Sequence, residues 1–177
     1  NIASLLNVDI EDVRQGVGSD RRIGNEFLYP GLGYGGSCFP KDVKALIAAG
    51  KKKSYSLSLL KSVDMVNSTQ RLLFVKRVLK YFRNNVKNKR FVIWGLSFKP
   101  GTDDVREAPS IDIIQFLLKN GATIDAYDPV ATLSNLIKHK KYNEIQSPVS
   151  TIKDCDGLII CTEWKEFWSI DISHFML

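Results

Sequence analysis

Apolar and polar positions follow two different periods along the chain, and the change falls near residue 87. From about Ser56 to Phe82, the residues Leu59, Leu60, Val63, Val66, Leu73, Val75, Val78, Leu79 and Phe82 recur at roughly helical spacing, with no Pro or Gly among them. A helix of that length spans about 40 Å, more than a small core needs. It suits a link between two domains or a pairing with another subunit, and equally a single helix packed on one core. Upstream, Asn1 to Leu6 read as helix, and Asp9 is a cap for 10–15, which Gly16 and Gly18 should end. Another helix should open at Pro40, run through 41–49 and stop at Gly50.

Beyond the polar stretch Arg83–Lys89 the pattern becomes strand–helix alternation. Phe91 to Gly95 is a short apolar run of the kind buried in a parallel sheet. A helix from Pro109 to Asn120 should be closed by Gly121, and Thr123–Tyr127 should form a second strand. Helices near 131–140, near Ile152 and from Glu163 to Trp168, with a third strand at 158–161, complete the expected elements. Alternation of this kind predicts an α/β fold with a Rossmann-like parallel sheet. The expected organisation is a helical central, dimerising segment over 1–86 and a nucleotide-binding sheet domain over 87–177, incomplete at Leu177.

The bulk properties narrow this little. The chain has 177 residues, 44% hydrophobic and 25% charged, an ordinary globular composition. Its longest apolar runs are too short to span a membrane. Three cysteines without a C-x-x-C pair argue against a disulfide framework or zinc site and fit a reducing cytoplasm. The net charge of +6 is spread over separate clusters at 51–53, 87–90 and 138–141, without interleaved aromatics. These read as solvated helix ends, so no nucleic-acid partner is expected.

One stretch is dense in residues needed for backbone reasons: Pro30-Gly31-Leu32-Gly33-Tyr34-Gly35-Gly36-Ser37-Cys38-Phe39-Pro40-Lys41-Asp42. Glycines let main-chain N–H groups approach a ligand closely. Cys38 stands just before a helix start, where the positive end of the dipole and nearby Lys41 favour a thiolate. A glycine loop, an activated sulfur and a helix N-terminus together suggest covalent catalysis. The competing reading is a small buried cysteine beside an ordinary turn.

A second candidate is the loop after the first strand of the sheet, 95–106, since ligands of such sheets bind at the carboxyl ends of strands. It lacks G-x-G-x-x-G, so an ordinary NAD pyrophosphate grip is not indicated. It carries Lys99 and Arg106, which suit phosphate, unless they pair instead with Asp103, Asp104 and Glu107. Asp128 ends the second strand, where an acid often holds a ribose hydroxyl, though Asp-Pro is also a common turn.

Gly-Tyr-Gly-Gly-Ser-Cys-Phe-Pro-Lys-Asp at 33–42 and Phe-Lys-Pro-Gly-Thr-Asp-Asp-Val-Arg-Glu at 98–107 together resemble the two signatures of the nucleotide-sugar dehydrogenases, the UDP-glucose/GDP-mannose dehydrogenase family. The resemblance covers essentially the whole chain and leans towards the members that oxidise UDP-glucose. It implies a double NAD-dependent oxidation at C6 of the sugar, through a cysteine thiohemiacetal and a thioester, to UDP-glucuronate. By position it makes Cys38 the nucleophile and Asp42 its helper in the water step. It implies substrate contacts at Arg22, Phe27, Leu28, Tyr29, Gly31, Gly33, Tyr34, Gly35, Phe98 and Lys99, with Arg106 towards the NAD cofactor. Arg22 matches an arginine that reaches a neighbouring subunit's substrate, which implies a homodimer or higher homo-oligomer. The family's N-terminal Rossmann domain, its central-helix Lys and Asn, a catalytic glutamate and the last strand of the UDP domain are not matched. The chain therefore looks like a fragment, expected to be inactive alone. GDP-mannose or UDP-N-acetylmannosamine oxidation, or a non-catalytic nucleotide-binding or dimerisation module, are the alternatives.

Overall fold

A computed structural model describes residues 1–175. The chain separates into two compact units, Asn1–Gly31 and Leu32–Leu177, so the residues expected as one helical domain are distributed over both.

The first unit holds α1 (Ile2–Leu6) and α2 (Ile10–Gly18). Asp9 caps α2 by accepting the Glu11 N–H at 2.8 Å. The expected stop at Gly16 does not occur, and α2 runs on to Gly18. A helical glycine costs only about 1 kcal/mol, which neighbouring turns override. Gly18 is needed for space: a Cβ there would stand 2.0 Å from Asn25 Oδ1.

The second unit begins with α3 (Phe39–Lys52) and α4 (Ser58–Tyr81). α3 continues past Gly50, against the sequence expectation. That glycine serves the returning chain instead: Tyr55 N–H bonds the Gly50 carbonyl at 2.9 Å, and a Cβ would lie 2.9 Å from the Tyr55 oxygen. α4 is the long helix that the spacing predicts, uninterrupted for 24 residues.

The sheet follows, built from β1 (Arg90–Trp94), β2 (Thr123–Tyr127), β3 (Tyr142–Glu144) and β4 (Gly157–Ile160), with α5 (Pro109–Lys119) and the short α6 (Lys165–Trp168). Its order is β3-β2-β1-β4 and every pairing is parallel, with Ile93 level with Ala126 on one side and Ile159 on the other. The order matches the first four strands of a Rossmann sheet, and the switch point lies between β1 and β4. Both faces are covered, as an all-parallel sheet requires. Phe91 and Ile93 share a core with Ile113, Ile114 and Leu117 of α5 and with Val75 of α4. Val92 and Trp94 face the other way, onto Ile152 and Phe167.

β3 escaped the sequence reading because three residues carry no period. The helix expected at 131–140 is absent too. Side chains satisfy the backbone there: Asp128 Oδ1 accepts the N–H groups of Val130 and Ala131, and Glu144 accepts that of Leu133. Local side-chain acceptors of this kind compete with helix formation. No helix among the described residues is long and apolar enough to cross a membrane.

Candidate active site

The two sequence motifs, sixty residues apart in the chain, meet in the second unit through bare backbone. Gly36 donates its N–H to the Arg106 carbonyl at 2.8 Å. Gly35 lies against Glu107 and Phe98, and Gly36, with φ +89°, lies under the Phe98 ring at a distance that leaves no room for a Cβ. Glycine is required here for close approach as much as for its dihedral angles.

Two residues of α4 that sequence reasoning missed hold the glycine loop. Asn67 Oδ1 accepts the Tyr34 N–H at 2.7 Å, and its Nδ2 donates back to the Tyr34 carbonyl at 3.1 Å. Arg71 sends one nitrogen, Nη2, to the Tyr34 carbonyl at 3.0 Å and to the Glu107 carbonyl at 2.9 Å, and pairs through Nη1 with Asp112 of α5. Asn67 and Arg71 stand four residues apart and so share one face of α4, but that helix carries many other polar residues, and the sequence did not single these two out.

Cys38 is exposed at the N-cap position of α3, so the buried-cysteine reading fails. Its carbonyl accepts the Asp42 N–H at 3.0 Å, which places Asp42 one turn along the same helix, also exposed. The Ser37 hydroxyl stands 3.6 Å from the Cys38 sulfur, and Phe39 meets Tyr34 edge to face at 4.7 Å. Lys44, further along α3, reaches the Glu107 carboxylate at 3.3 Å.

Across from this loop, segment 98–107 ties itself together. Phe98 N–H bonds the Asp104 carbonyl at 3.0 Å, and Arg106 forks onto the Asp104 carboxylate at 2.9 and 2.8 Å. That guanidinium holds the Asp104 carboxyl below its ordinary value. Arg106 is in turn raised, first by the hydrogen bonds it donates to Asp104 and then by that carboxylate's charge. Lys99 takes no acid: its ammonium lies over the Phe98 ring, 5.5 Å from the centroid. The rival ion-pair reading thus holds for Arg106 and Asp104 but not for Lys99.

At the switch point, Gly95 (φ +84°) comes so close to Thr162 that a Cβ would sit 2.4 Å from its side chain. Asp128 is spent on structure. Its Oδ2 accepts from Leu96 N–H, Ser97 N–H, Ser97 Oγ and Trp164 Nε1, and its Oδ1 from Val130 and Ala131. Six donors exceed the roughly four lone-pair positions of a carboxylate, so no capacity remains for a ribose hydroxyl. A polar cleft of about 200 Å³ opens beside it between Leu96, Tyr127 and Glu144. With no glycine fingerprint after β1 and with Asp128 already saturated after β2, the described residues there lack the usual features of a dinucleotide site, and Arg106, the residue expected to face the cofactor, is engaged by Asp104.

The remaining candidates lie in the first unit. Arg22 forks onto Asp20, with Nη2 at 2.6 Å, and is exposed. Phe27 is 99% exposed in a left-handed conformation (φ +62°). Leu28 is half-buried, Tyr29 carries the Arg14 guanidinium 5.0 Å from its ring centroid, and Gly31 has open space around its Cα.

Known proteins place this arrangement. Residues 1–69 match the UDP-glucose/GDP-mannose dehydrogenase family, central domain, and residues 92–176 match the UDP binding domain of the same family. A UDP-glucose 6-dehydrogenase of Pseudomonas aeruginosa is 41% identical over 172 residues, covering 94% of this chain and 38% of its own. The structure of a UDP-glucose dehydrogenase from Pyrobaculum islandicum superimposes with a TM-score of 0.86 at 32% identity, over 94% of this chain and 38% of that one. A UDP-D-ManNAc dehydrogenase structure from Pyrococcus horikoshii shares the fold at 21% identity, with a TM-score of 0.80 over 98% of this chain and 39% of that one. The chain thus spans well under half the length of the relatives it matches, and along that span it belongs to the UDP-glucose/GDP-mannose dehydrogenase family.

Proposed function

We propose that these residues form the nucleophile-bearing and UDP-sugar-binding part of an enzyme that oxidises UDP-glucose to UDP-glucuronate. In this reading residues 1–86 act with the central domain and 87–177 bind the nucleotide. The observation that carries it is the contact of Gly35 and Gly36 with Phe98, Arg106 and Glu107, which joins the loop bearing an exposed thiol to the loop bearing Lys99 and Arg106.

In the proposed reaction the C6 alcohol loses a hydride and a proton, giving an aldehyde. The Cys38 sulfur adds to the aldehyde carbon, and the carbonyl oxygen takes up a proton, forming a thiohemiacetal. Loss of a second hydride and the hydroxyl proton leaves a thioester. Water then adds at the same carbon, the C–S bond breaks, and the carboxylate leaves with the thiol restored. NAD, which the rest of the protein is proposed to hold, would supply the acceptor for both hydrides. Asp42, one helical turn along from Cys38, is proposed to take the proton from the attacking water. Lys99 is proposed to offset negative charge on the substrate and Arg106 to face the NAD side. Holding the sulfur at the sugar terminus converts the addition into a step within one complex, where effective concentrations are high.

A homodimer is proposed on the apolar surface that α4 turns outward, where Leu59, Met65 and Val66 are exposed. In the first unit, the exposed Phe27 and Tyr29 are proposed to meet the sugar, and Arg22 the substrate of a neighbouring subunit.

The test uses the full-length protein that carries this chain. Supplied with UDP-glucose and NAD, it is expected to form UDP-glucuronate with two NADH for each, and Cys38→Ala to form none. Preference for GDP-mannose or UDP-N-acetylmannosamine would move the reading to those substrates, and full activity of Cys38→Ala would end it. The 177-residue chain alone is expected to make no NADH.

A further inference from the structure

We infer that Arg71 is the positioning residue that keeps the Cys38 loop in register with segment 98–107. The inference rests on the reading of Cys38 as nucleophile for its catalytic meaning, though the latch itself is a matter of geometry.

Arg71 lies on α4, outside both motifs, with its side chain 13% exposed. One guanidinium nitrogen bridges the Tyr34 and Glu107 carbonyls, so one donor fixes the separation of the two loops. The other terminal nitrogen engages Asp112, which is on the helix that opens directly after segment 98–107. The guanidinium is thus oriented from a third element.

The Glu107 end of the bridge is held under tension. Glu107 has φ +53°, a left-handed conformation that a non-glycine residue keeps only when its surroundings impose it. That conformation turns its carbonyl towards Arg71 and against Gly35, whose missing Cβ makes the approach possible. Removal of the guanidinium leaves two carbonyls without their shared donor and Glu107 without the contact that offsets its strain. A lysine in its place has one compact ammonium and no planar fork, so it cannot reach both carbonyls and Asp112 together. Only Gly35, Gly36 and Ser37 separate Tyr34 from Cys38, so the latch sets where the sulfur stands relative to Lys99 and Arg106.

The experiment compares amide hydrogen exchange at two positions of the 177-residue chain. Gly36, whose N–H is held by Arg106, reports the junction; Gly95, whose N–H is held by Tyr127, reports the sheet. Arg71→Ala is expected to speed exchange at Gly36 by about tenfold or more while Gly95 stays within about twofold. Added methylguanidinium should restore Gly36 protection, and methylammonium should not. Equal acceleration at both amides would make Arg71 an ordinary packing residue, and an unchanged Gly36 would refute the latch. Where Arg71→Ala fails to fold, Asp112→Asn serves, with a smaller acceleration confined to Gly36; no acceleration overturns the inference. Alkylation of Cys38 separates the two readings. If Cys38 reacts no faster than Cys155 while Gly36 still responds to Arg71, the latch stands and the catalytic reading falls.

Discussion

The Glu107 carbonyl oxygen sits against the Cα of Gly35, so close that a Cβ on residue 35 would stand 2.4 Å from it. Gly35→Ala must therefore push the nucleophile loop off segment 98–107, and the obstacle is backbone that cannot rotate away. A loss of about 1–3 kcal/mol is expected, as for other overpacking substitutions. Gly31→Ala is the control, with open space where its Cβ would stand and an expected change within about 0.5 kcal/mol. Urea unfolding of the two variants checks this; equal effects would refute the close-approach account.

Asp128 predicts a pH dependence. Burial pushes its carboxyl up, but the N–H groups of Ala131, Val130, Leu96 and Ser97 outweigh that, and the net shift is downward. A carboxyl depressed in the folded state adds stability above its unfolded pKa, near 4, which is lost as pH falls through the folded value. Asp128→Asn should cost about 1–3 kcal/mol at pH 7, because its amide turns a donor towards donors. It should also flatten the acid limb of a plot of stability against pH. The limb will not vanish, since Asp104, Glu144 and Asp156 are held low as well. An unaltered limb would show that Asp128 does not titrate as described.

The three thiols should label in a fixed order. Cys38 is exposed, while burial pushes Cys155 up and raises Cys161, packed against the core, to about 12. With limiting iodoacetamide at pH 7, Cys38 is expected to react first and Cys161 last, the order disappearing after denaturation. Peptide mass spectrometry reads it directly. Labelling of Cys155 ahead of Cys38 would contradict the site.

The Lys44–Glu107 pair looks like a second tie between the loops, yet both side chains are about half exposed. Water and salt screen such a pair, so Lys44→Met should change stability by less than about 0.5 kcal/mol. A larger loss in thermal unfolding would mean that the pair bears on the junction after all.

Much of this arrangement was legible one segment at a time. The apolar run at 91–95, the Pro and Gly bounding 109–121 and the unbroken period from Ser56 to Phe82 each mark an element, because burial and capping act on neighbours in the chain. Gly16 and Gly50 misled for the complementary reason: each looks like a helix stop, and each is passed by its helix. Gly50 is required by the chain folding back over the helix end, where the Tyr55 carbonyl leaves no room for a Cβ.

The residue order alone determined that a cysteine would stand at a helix start behind glycines, and that a loop carrying Lys99 and Arg106 would follow the first strand of a parallel sheet. Only tertiary structure decided that Gly35 and Gly36 lie on Phe98, Arg106 and Glu107, that Asn67 and Arg71 hold them there, and that Asp128 is consumed by six donors. The reason is physical. Local patterns record which backbone shapes a residue permits, whereas a close approach or a shared donor exists only once segments far apart in the chain have packed together.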